Sequence, residues 1–207
     1  MPNSARPFVL WALAGAASGV LAKWADIHGT GWLAVVASEL PVWIAATVLI
    51  GWFAASVPRA ARDAAAFFVA MTAAHYVWAL EVAHHPIDRD SMLWFVIALA
   101  PCPALAAVVR AARGRRWSEP AVLGASAALI CVTGSLPWWW AQVTTSGRDP
   151  FAPDHRLDAL IDVALALGLV ALARTPRRAA AALATAVVLF WPVDQLWDLV
   201  ATRLPIL

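Results

Sequence analysis

Charged residues are scarce in this sequence. Asp, Glu, Lys and Arg make up 14% of its 207 residues, whereas a typical soluble domain has about 25%. Residues of the apolar and aromatic types make up 62%, and a soluble fold of this length has too little interior to hide so much apolar surface. A soluble globular domain is therefore excluded, and lipid is the expected solvent. The net charge of +2 gives no general attraction to nucleic acid, so no nucleic-acid partner is expected.

Cysteine and tyrosine are also rare, with two cysteines and one tyrosine. Cys102 and Cys131 both fall within apolar runs, and their spacing is not that of a metal site. The sequence shows no internal repeat and no low-complexity tail. Tryptophan, by contrast, is abundant, with 13 residues. Cysteine chemistry therefore gives no lead to the function, whereas the tryptophans require an explanation.

Seven apolar runs are long enough to be interpreted as membrane spans. A helix needs about 20 apolar residues to cross a bilayer core, and a helix satisfies its own backbone hydrogen bonds in lipid. The runs cover residues 7–25, 41–57, 62–83, 91–109, 120–138, 157–173 and 179–200. The sequence therefore predicts an all-α fold, a polytopic transmembrane helical bundle that forms a single integral membrane domain over residues 1–207.

The residues between these runs indicate the orientation. Ten of the 15 Lys and Arg residues fall on the side of the N-terminus. Because cytoplasmic loops are enriched in Lys and Arg, we expect a multi-pass protein of the cell membrane with its N-terminus cytoplasmic and its C-terminus outside. Eleven of the 13 acidic residues and ten of the 13 tryptophans fall in the outer half. This sorting predicts an acidic, aromatic chamber, because an interfacial tryptophan belt should occupy both interfaces.

Ionisable side chains inside the predicted spans are the candidates for chemistry, because each is costly to place in a bilayer. His75 and Glu81 share one face of the third span. Asp162 lies more than one turn inside the sixth span, and Asp194 and Asp198 share a face of the seventh. These five residues are the catalytic candidates. The alternative is that they form satisfied polar contacts that hold the helices together.

Two of the spans carry an Asp-x-x-x-Asp pair, formed by Asp158 with Asp162 and by Asp194 with Asp198. Two carboxylates one turn apart can share a divalent cation, and Mg²⁺ commonly takes one or two carboxylates together with substrate phosphates. Binding of Mg²⁺ by these four residues is one alternative. The leading interpretation needs neither a metal nor any other cofactor.

Acid-initiated cyclisation of an isoprenoid requires fewer groups. A protonated acid starts a carbocation, aromatic faces stabilise it by cation–π contact, and Trp does so most strongly. A base ends the reaction in a chamber that excludes water. Glu81 and Asp194 are the expected acid and base. The substrate-binding candidates are Tyr76, Trp78, Trp94, Trp138, Trp139, Trp191 and Trp197.

These residues are similar in arrangement to those of the integral membrane terpene cyclases of meroterpenoid pathways. Those enzymes are short seven-span proteins with a functional Glu on an early span and an Asp on the last. Glu81, in VWALEV, and Asp194, in WPVDQLWD, match these positions, although Glu81 falls one span later than in that family. The resemblance implies a membrane cyclase in which these two residues act on the substrate.

The N-terminal part resembles an uncharacterised family of actinobacterial multi-pass membrane proteins of about 200 residues. The matching segments are GAASGVLAKWADIHGTGWLA and PVWIAATVLIGW. This resemblance implies a helical membrane fold and no particular activity. Gly15 and Gly19 form a GxxxG pair, which is typical of close helix packing in membranes.

Three functions follow as hypotheses. The leading one is an integral membrane enzyme acting on an apolar, isoprenoid-like small molecule or lipid, with terpene cyclisation as the expected reaction. The second is a small-molecule transporter that uses the same acids, although the inverted repeats common in carriers are missing. The third is a protein that binds a partner within the bilayer. The oligomeric state is left open.

Overall fold

The computed structural model describes residues 5–29, 39–85, 91–144 and 156–203. Every regular element in these ranges is a helix, as the apolar runs predict. The helices are α1 (Ala5–His28), α2 (Leu40–Phe53), α3 (Val57–Glu81), α4 (Ser91–Leu99), α5 (Pro101–Ala112), α6 (Ser118–Thr133), α7 (Leu136–Thr144), α8 (Arg156–Ala171) and α9 (Pro176–Arg203). The fold class is therefore all-α.

Four helical stretches are long and apolar enough to cross a membrane. They are Phe8–His28, Val57–Glu81, Leu93–Ala112 and Pro176–Leu199. A fifth exists if α6 and α7, which meet at a bend of 60°, form one broken span. The predicted spans at 41–57 and 157–173 fold as α2 and α8, of 14 and 16 residues, which is shorter than the usual crossing length. The described residues thus contain four or five candidate membrane spans, and the count of seven stays a prediction.

The bend between α6 and α7 divides what the sequence predicts as one span over 120–138. Helix α6 ends at Thr133, and α7 begins at Leu136. Pro137 explains the interruption, because proline has no N–H to donate to the carbonyl of Thr133 and its ring would clash with that carbonyl. Gly134 and Ser135 form the connection.

The chain divides into two compact units. Unit 1 comprises residues 1–38 and 46–113, and unit 2 comprises residues 39–45 and 114–207. Helix α2 contributes its first residues to unit 2 and the remainder to unit 1. Each unit has its own core.

Unit 1 is built on the contact between α1 and α3. A Cβ atom at Gly15 would lie 2.0 Å from the carbonyl oxygen of Phe67, and one at Gly19 would lie 2.1 Å from that of Met71. The GxxxG pair therefore brings the two backbones together, as its spacing predicts. Ser56 immediately precedes α3 as its N-cap, and its hydroxyl accepts a hydrogen bond from the backbone N–H of Arg59, as N-cap residues do.

Unit 2 is organised around α6, against which α8 and α9 both pack while hardly touching each other. Gly124 of α6 allows α9 to approach, because a Cβ atom there would lie 2.4 Å from the carbonyl oxygen of Ala182. Glu119 is buried at the start of α6 and accepts a hydrogen bond from Arg178 of α9 at 3.1 Å. This ion pair joins the first turns of two helices that run in the same direction.

Candidate functional site

Because the chain bends after α6, the first backbone N–H groups of α7 have no acceptor within the helix. Asp162 of α8 supplies the acceptor. Its Oδ2 atom accepts a hydrogen bond from the backbone N–H of Ser135 at 2.7 Å, and the backbone N–H of Leu136 donates to the same carboxylate. Asp162 is 1% exposed. A side chain from another helix therefore caps α7, and its negative charge lies at the positive end of the helix dipole.

Gly134 makes this capping possible. A Cβ atom at this position would lie 2.1 Å from Oδ2 of Asp162, well inside van der Waals contact. The backbone of Gly134 has φ −94°, which any residue can adopt, so glycine is needed for space and not for conformation. The bend and the buried carboxylate of Asp162 thus depend on each other.

A second carboxylate reaches the same bend. Glu39, which immediately precedes α2, accepts a hydrogen bond through Oε1 from the hydroxyl of Ser135 at 3.5 Å. Its Oε2 atom is buried and has no hydrogen-bond partner among the described residues. Burial, and then the negative charges of Asp162 and Asp158, raise the pKa of Glu39 from 4.5 to about 7. Glu39 can therefore hold or release a proton near neutral pH, which suits a general acid or base.

Trp139 contributes a buried donor. Its backbone N–H donates to the carbonyl of Ser135 at 3.0 Å, so the two residues are one turn apart on the same face of α7. The indole Nε1 of Trp139 is buried without a hydrogen-bond partner in the described part of the chain. Buried polar groups are normally satisfied. We call Glu39, Ser135, Trp139 and Asp162 the bend site; in it, the Oε2 atom of Glu39 and the Nε1 atom of Trp139 are both buried and have no hydrogen-bond partner among the described residues.

An apolar groove of about 310 Å³ lies in unit 2 beside the bend site. Cys131 of α6, four residues before Ser135, and Val163 of α8, next to Asp162, both line it. The carboxylate of Asp162 is close enough to act electrostatically on the thiol of Cys131. The polar bend site and the apolar groove are therefore neighbours in one unit.

The remaining candidates of unit 1 lie on α3 and α4. The ring of His75 contacts Tyr76 edge-on at 5.2 Å. Trp78 and Trp94 are half-buried, and Glu81 is exposed at the end of α3. The ring of Tyr76 also contacts that of Phe95 of α4, with the ring centres 6.2 Å apart.

The remaining candidates of unit 2 lie mainly on α9. Asp194 and Trp197 are half-buried and Asp198 is exposed, while Trp191 of α9 and Trp138 of α7 are largely exposed. Of the predicted site residues, the structure thus places Asp162 against Ser135 at the bend, and Trp139 lies one turn after Ser135 on α7.

For the Mg²⁺ alternative, the arrangement of carboxylates is informative. Within the described ranges, no three His, Cys, Asp or Glu residues lie close enough together to hold a metal ion. Asp158 and Asp162 do share one neighbourhood, since both act on Glu39. Their negative charges disfavour the charged form of Glu39.

Two members of the bend site, Glu39 and Ser135, are not among the candidates that the sequence provides. Glu39 stands at the start of an apolar run, where an acid commonly opens a helix. The sequence does contain a signal for the bend that holds Ser135, namely Gly134 and Pro137 within the predicted span 120–138. A glycine followed closely by a proline within a helix marks a break. A break inside a span needs polar partners.

The described chain thus defines a class: an all-α protein with four or five apolar helices of membrane-spanning length, compatible with a membrane protein. A family model described as a family of unknown function (DUF6518) matches residues 2–199, and the chain belongs to this family. No curated protein and no solved structure matches the chain. Membership in a family without an assigned activity agrees with the expectation from the N-terminal segments, whereas an actinobacterial origin and the cyclase resemblance stay predictions.

Proposed function

We propose that the chain is an integral enzyme of the cell membrane, with seven spans, a cytoplasmic N-terminus and an external C-terminus, that carries out acid-initiated chemistry on an apolar, isoprenoid-like substrate. The observation that carries the proposal is the Oε2 atom of Glu39, which is buried and has no hydrogen-bond partner among the described residues; the pKa of this carboxyl, about 7, lets it hold a proton at neutral pH. Cyclisation of the substrate is the reaction that these groups suit best.

The surroundings of Glu39 support its role as the acid. An acid that protonates a carbon–carbon double bond must be neutral before the reaction, and the charges of Asp162 and Asp158 disfavour its ionisation. Trp139 offers an aromatic face on the same side of α7 as Ser135, and such a face stabilises a cation by about 0.5–2 kcal/mol. Asp162 serves the site as a cap of α7 that holds Ser135 in place.

The proposed reaction is redox-neutral and returns the acid to its starting state. Glu39 transfers its proton to one carbon of a double bond, and the π electrons form the new C–H bond. The cation on the other carbon is attacked by a second double bond, which closes a ring. The carboxylate of Glu39 then removes a proton from the neighbouring carbon, so the product is an isomer of the substrate. No metal, nucleotide or other cofactor takes part.

Substitution of Glu39 tests the proposal. Lipid extracts of cells that express the chain are compared with those expressing Glu39→Gln, and purified protein is assayed with prenyl alcohols by mass spectrometry. Glu39→Gln should abolish any product of unchanged mass and altered retention, because glutamine has no proton to give. Glu81→Gln and Asp194→Asn are assayed beside it, since the cyclase resemblance predicts that they act. Product formation by Glu39→Gln at the parent rate would refute the assignment of the acid.

A second function has one observation in its favour. The bend of 60° between α6 and α7 places a discontinuous helix next to a buried, titratable carboxyl, and carriers bind ions and substrates at such discontinuities. A proton-coupled carrier for small molecules would use Glu39 as its proton site. Uptake of a solute into proteoliposomes under a pH gradient, lost in Glu39→Gln, would favour the carrier. A protein-dependent isomer formed without any gradient would favour the enzyme.

A further inference from the structure

We propose that one end of unit 2 binds the headgroups of anionic phospholipids at the cytoplasmic surface of the membrane. This surface, which we call the basic end, consists of five exposed residues: Arg115, Arg116, Trp117, Arg174 and Arg177. The inference goes beyond the proposed function. It rests on the membrane location and orientation proposed above, but not on Glu39 or on any reaction.

A buried carboxylate holds the two segments of the basic end together. Glu119 is 1% exposed. Its Oε2 atom accepts a hydrogen bond from the backbone N–H of Gly114, and its Oε1 atom accepts one from Arg178 at 3.1 Å. Gly114 immediately precedes Arg115. Arg178 immediately follows Arg177, so the arginines before α6 lie beside those at the start of α9.

The positive charge of the basic end is not compensated within unit 2. None of its four arginines forms an ion pair with another described residue. Glu119 is the only acidic residue in the segment 114–144, and both of its oxygen atoms are already occupied. Residues 163–193, which include the end of α8 and the start of α9, contain no acidic residue. The basic end therefore presents four guanidinium groups without a counterion.

Local helix structure does not account for these arginines. Arginine is favoured in the last turn of a helix and disfavoured near the first, where unpaired N–H groups leave a partial positive charge. Arg115 and Arg116 immediately precede Trp117 and α6, and Arg177 lies in the first turn of α9. The guanidinium of Arg116 stacks over the ring of Trp117 at 4.9 Å, which leaves its charge in place. An anion from outside the chain would relieve the repulsion at both helix starts.

The position of the basic end identifies this anion as a lipid headgroup. Trp117 is 77% exposed, and tryptophan is enriched where a membrane meets water. Arg174 and Arg177 stand at the start of the apolar stretch Pro176–Leu199, so a crossing by α9 places them at the membrane surface. Anionic lipids of the cytoplasmic leaflet attract arginines in such positions. The guanidinium group also binds phosphate oxygens through two parallel hydrogen bonds, which suits a phosphodiester.

Native mass spectrometry of the protein in detergent measures the binding of individual lipids. Dioctanoyl phosphatidylglycerol should bind more tightly than dioctanoyl phosphatidylcholine, because the two lipids have the same chains and differ in headgroup charge. Arg177→Gln should weaken the binding of phosphatidylglycerol about fivefold, which corresponds to the contribution of one arginine near an anionic surface. Arg156→Gln is the matched control. It removes the same charge from the exposed first residue of α8, at the opposite end of unit 2, and should leave this binding unchanged.

The outcomes separate the inference from the proposed function. Equal affinity for the two lipids, or equal weakening by the two substitutions, would overturn the inference and leave any Glu39-dependent product unaffected, since the bend site lies at the other end of α6. Inorganic phosphate and a short single-stranded RNA are added as competitors. If either displaces phosphatidylglycerol at an equal concentration of phosphate groups, the basic end does not select lipid, and the inference is wrong. Selective lipid binding that Arg177→Gln weakens supports the inference even if no product forms in any assay.

Discussion

The contact between Gly134 and Asp162 leads to the sharpest structural prediction. Gly134→Ala would place a Cβ atom 2.1 Å from Oδ2 of Asp162, whereas ordinary contact begins at 3.4 Å. The carboxylate must retreat and lose its hydrogen bond of 2.7 Å to the backbone N–H of Ser135. In an Asp162→Ala background, the three atoms nearest to this Cβ atom are absent, because all three belong to the carboxylate of Asp162. The two substitutions should therefore be strongly non-additive.

The magnitudes follow from the groups involved. Asp162→Ala leaves the backbone N–H groups of Ser135 and Leu136 without their acceptor, at about 1–3 kcal/mol for each buried group, so we expect a loss of about 2–6 kcal/mol. Gly134→Ala in the parent chain should cost about 1–3 kcal/mol, as overpacking commonly does. In the Asp162→Ala background it should cost nothing or stabilise slightly, because alanine restricts the unfolded chain by about 0.4–1 kcal/mol. The coupling energy, the difference between the two costs, is then about 1–4 kcal/mol.

Reversible unfolding in mixed micelles, with the denaturing detergent as the variable, measures the four free energies of the double-mutant cycle. Gly168→Ala is the matched control, since a Cβ atom at this position in α8 has nothing within 4 Å. It should show no coupling to Asp162→Ala. Additivity of Gly134→Ala and Asp162→Ala within about 0.5 kcal/mol would refute the contact and, with it, the account of the bend.

Three further predictions concern pH and packing. The pKa of Glu39 rises from 4.5 in the unfolded chain to about 7 in the folded protein. Between these pH values the folded state binds more protons than the unfolded state, so the free energy of unfolding should fall as pH rises from about 4.5 to 7. Thermal melts of Glu39→Gln should show a weaker fall, and a pH profile identical to that of the parent would contradict the raised pKa of Glu39. Glu119→Ala should lower the free energy of unfolding by about 2–4 kcal/mol, somewhat less than for a fully buried ion pair, because Arg178 is 25% exposed. Asp198→Ala, at an exposed position, is the control and should change the free energy of unfolding by less than about 0.5 kcal/mol. Gly19→Leu should reduce the yield of folded protein in detergent, since its Cβ atom would lie 2.1 Å from the backbone oxygen of Met71. Ala17→Leu, on the exposed face of α1, is the control and should not reduce this yield. Equal yields of the two variants would show that the GxxxG contact is dispensable.

Much of the helical architecture is predictable from the sequence because lipid imposes one solution. The scarcity of charge requires an apolar solvent, and a backbone in that solvent must form helices. The contact of Gly15 and Gly19 with α3 is likewise local in origin, because two small residues one turn apart leave a flat surface on α1. The sequence marks Asp162 as a candidate because a carboxylate can cap a helix only near its first turn, and Asp162 lies further inside α8.

The bend site was beyond prediction because its members are distant in the sequence. Glu39 and Ser135 are 96 residues apart, and Ser135 and Asp162 are 27 apart. Helix periodicity relates residues three or four positions apart, so it contains no information about which carboxylate meets which helix end. The sequence pattern of an acidic residue before an apolar run is the same whether that residue begins a helix in water or is buried against another helix.

The sequence by itself therefore determined the apolar composition, the helical class and the small-residue face of α1, since each follows from composition or from neighbours within a turn. Only the tertiary structure decided that Pro137 and Gly134 end α6 early, that Asp162 caps the start of α7, and that Glu39 lies beside it. The physical reason is that the pKa of Glu39 depends on burial and on the charges of Asp162 and Asp158, and these are brought close only when α8 packs on α6.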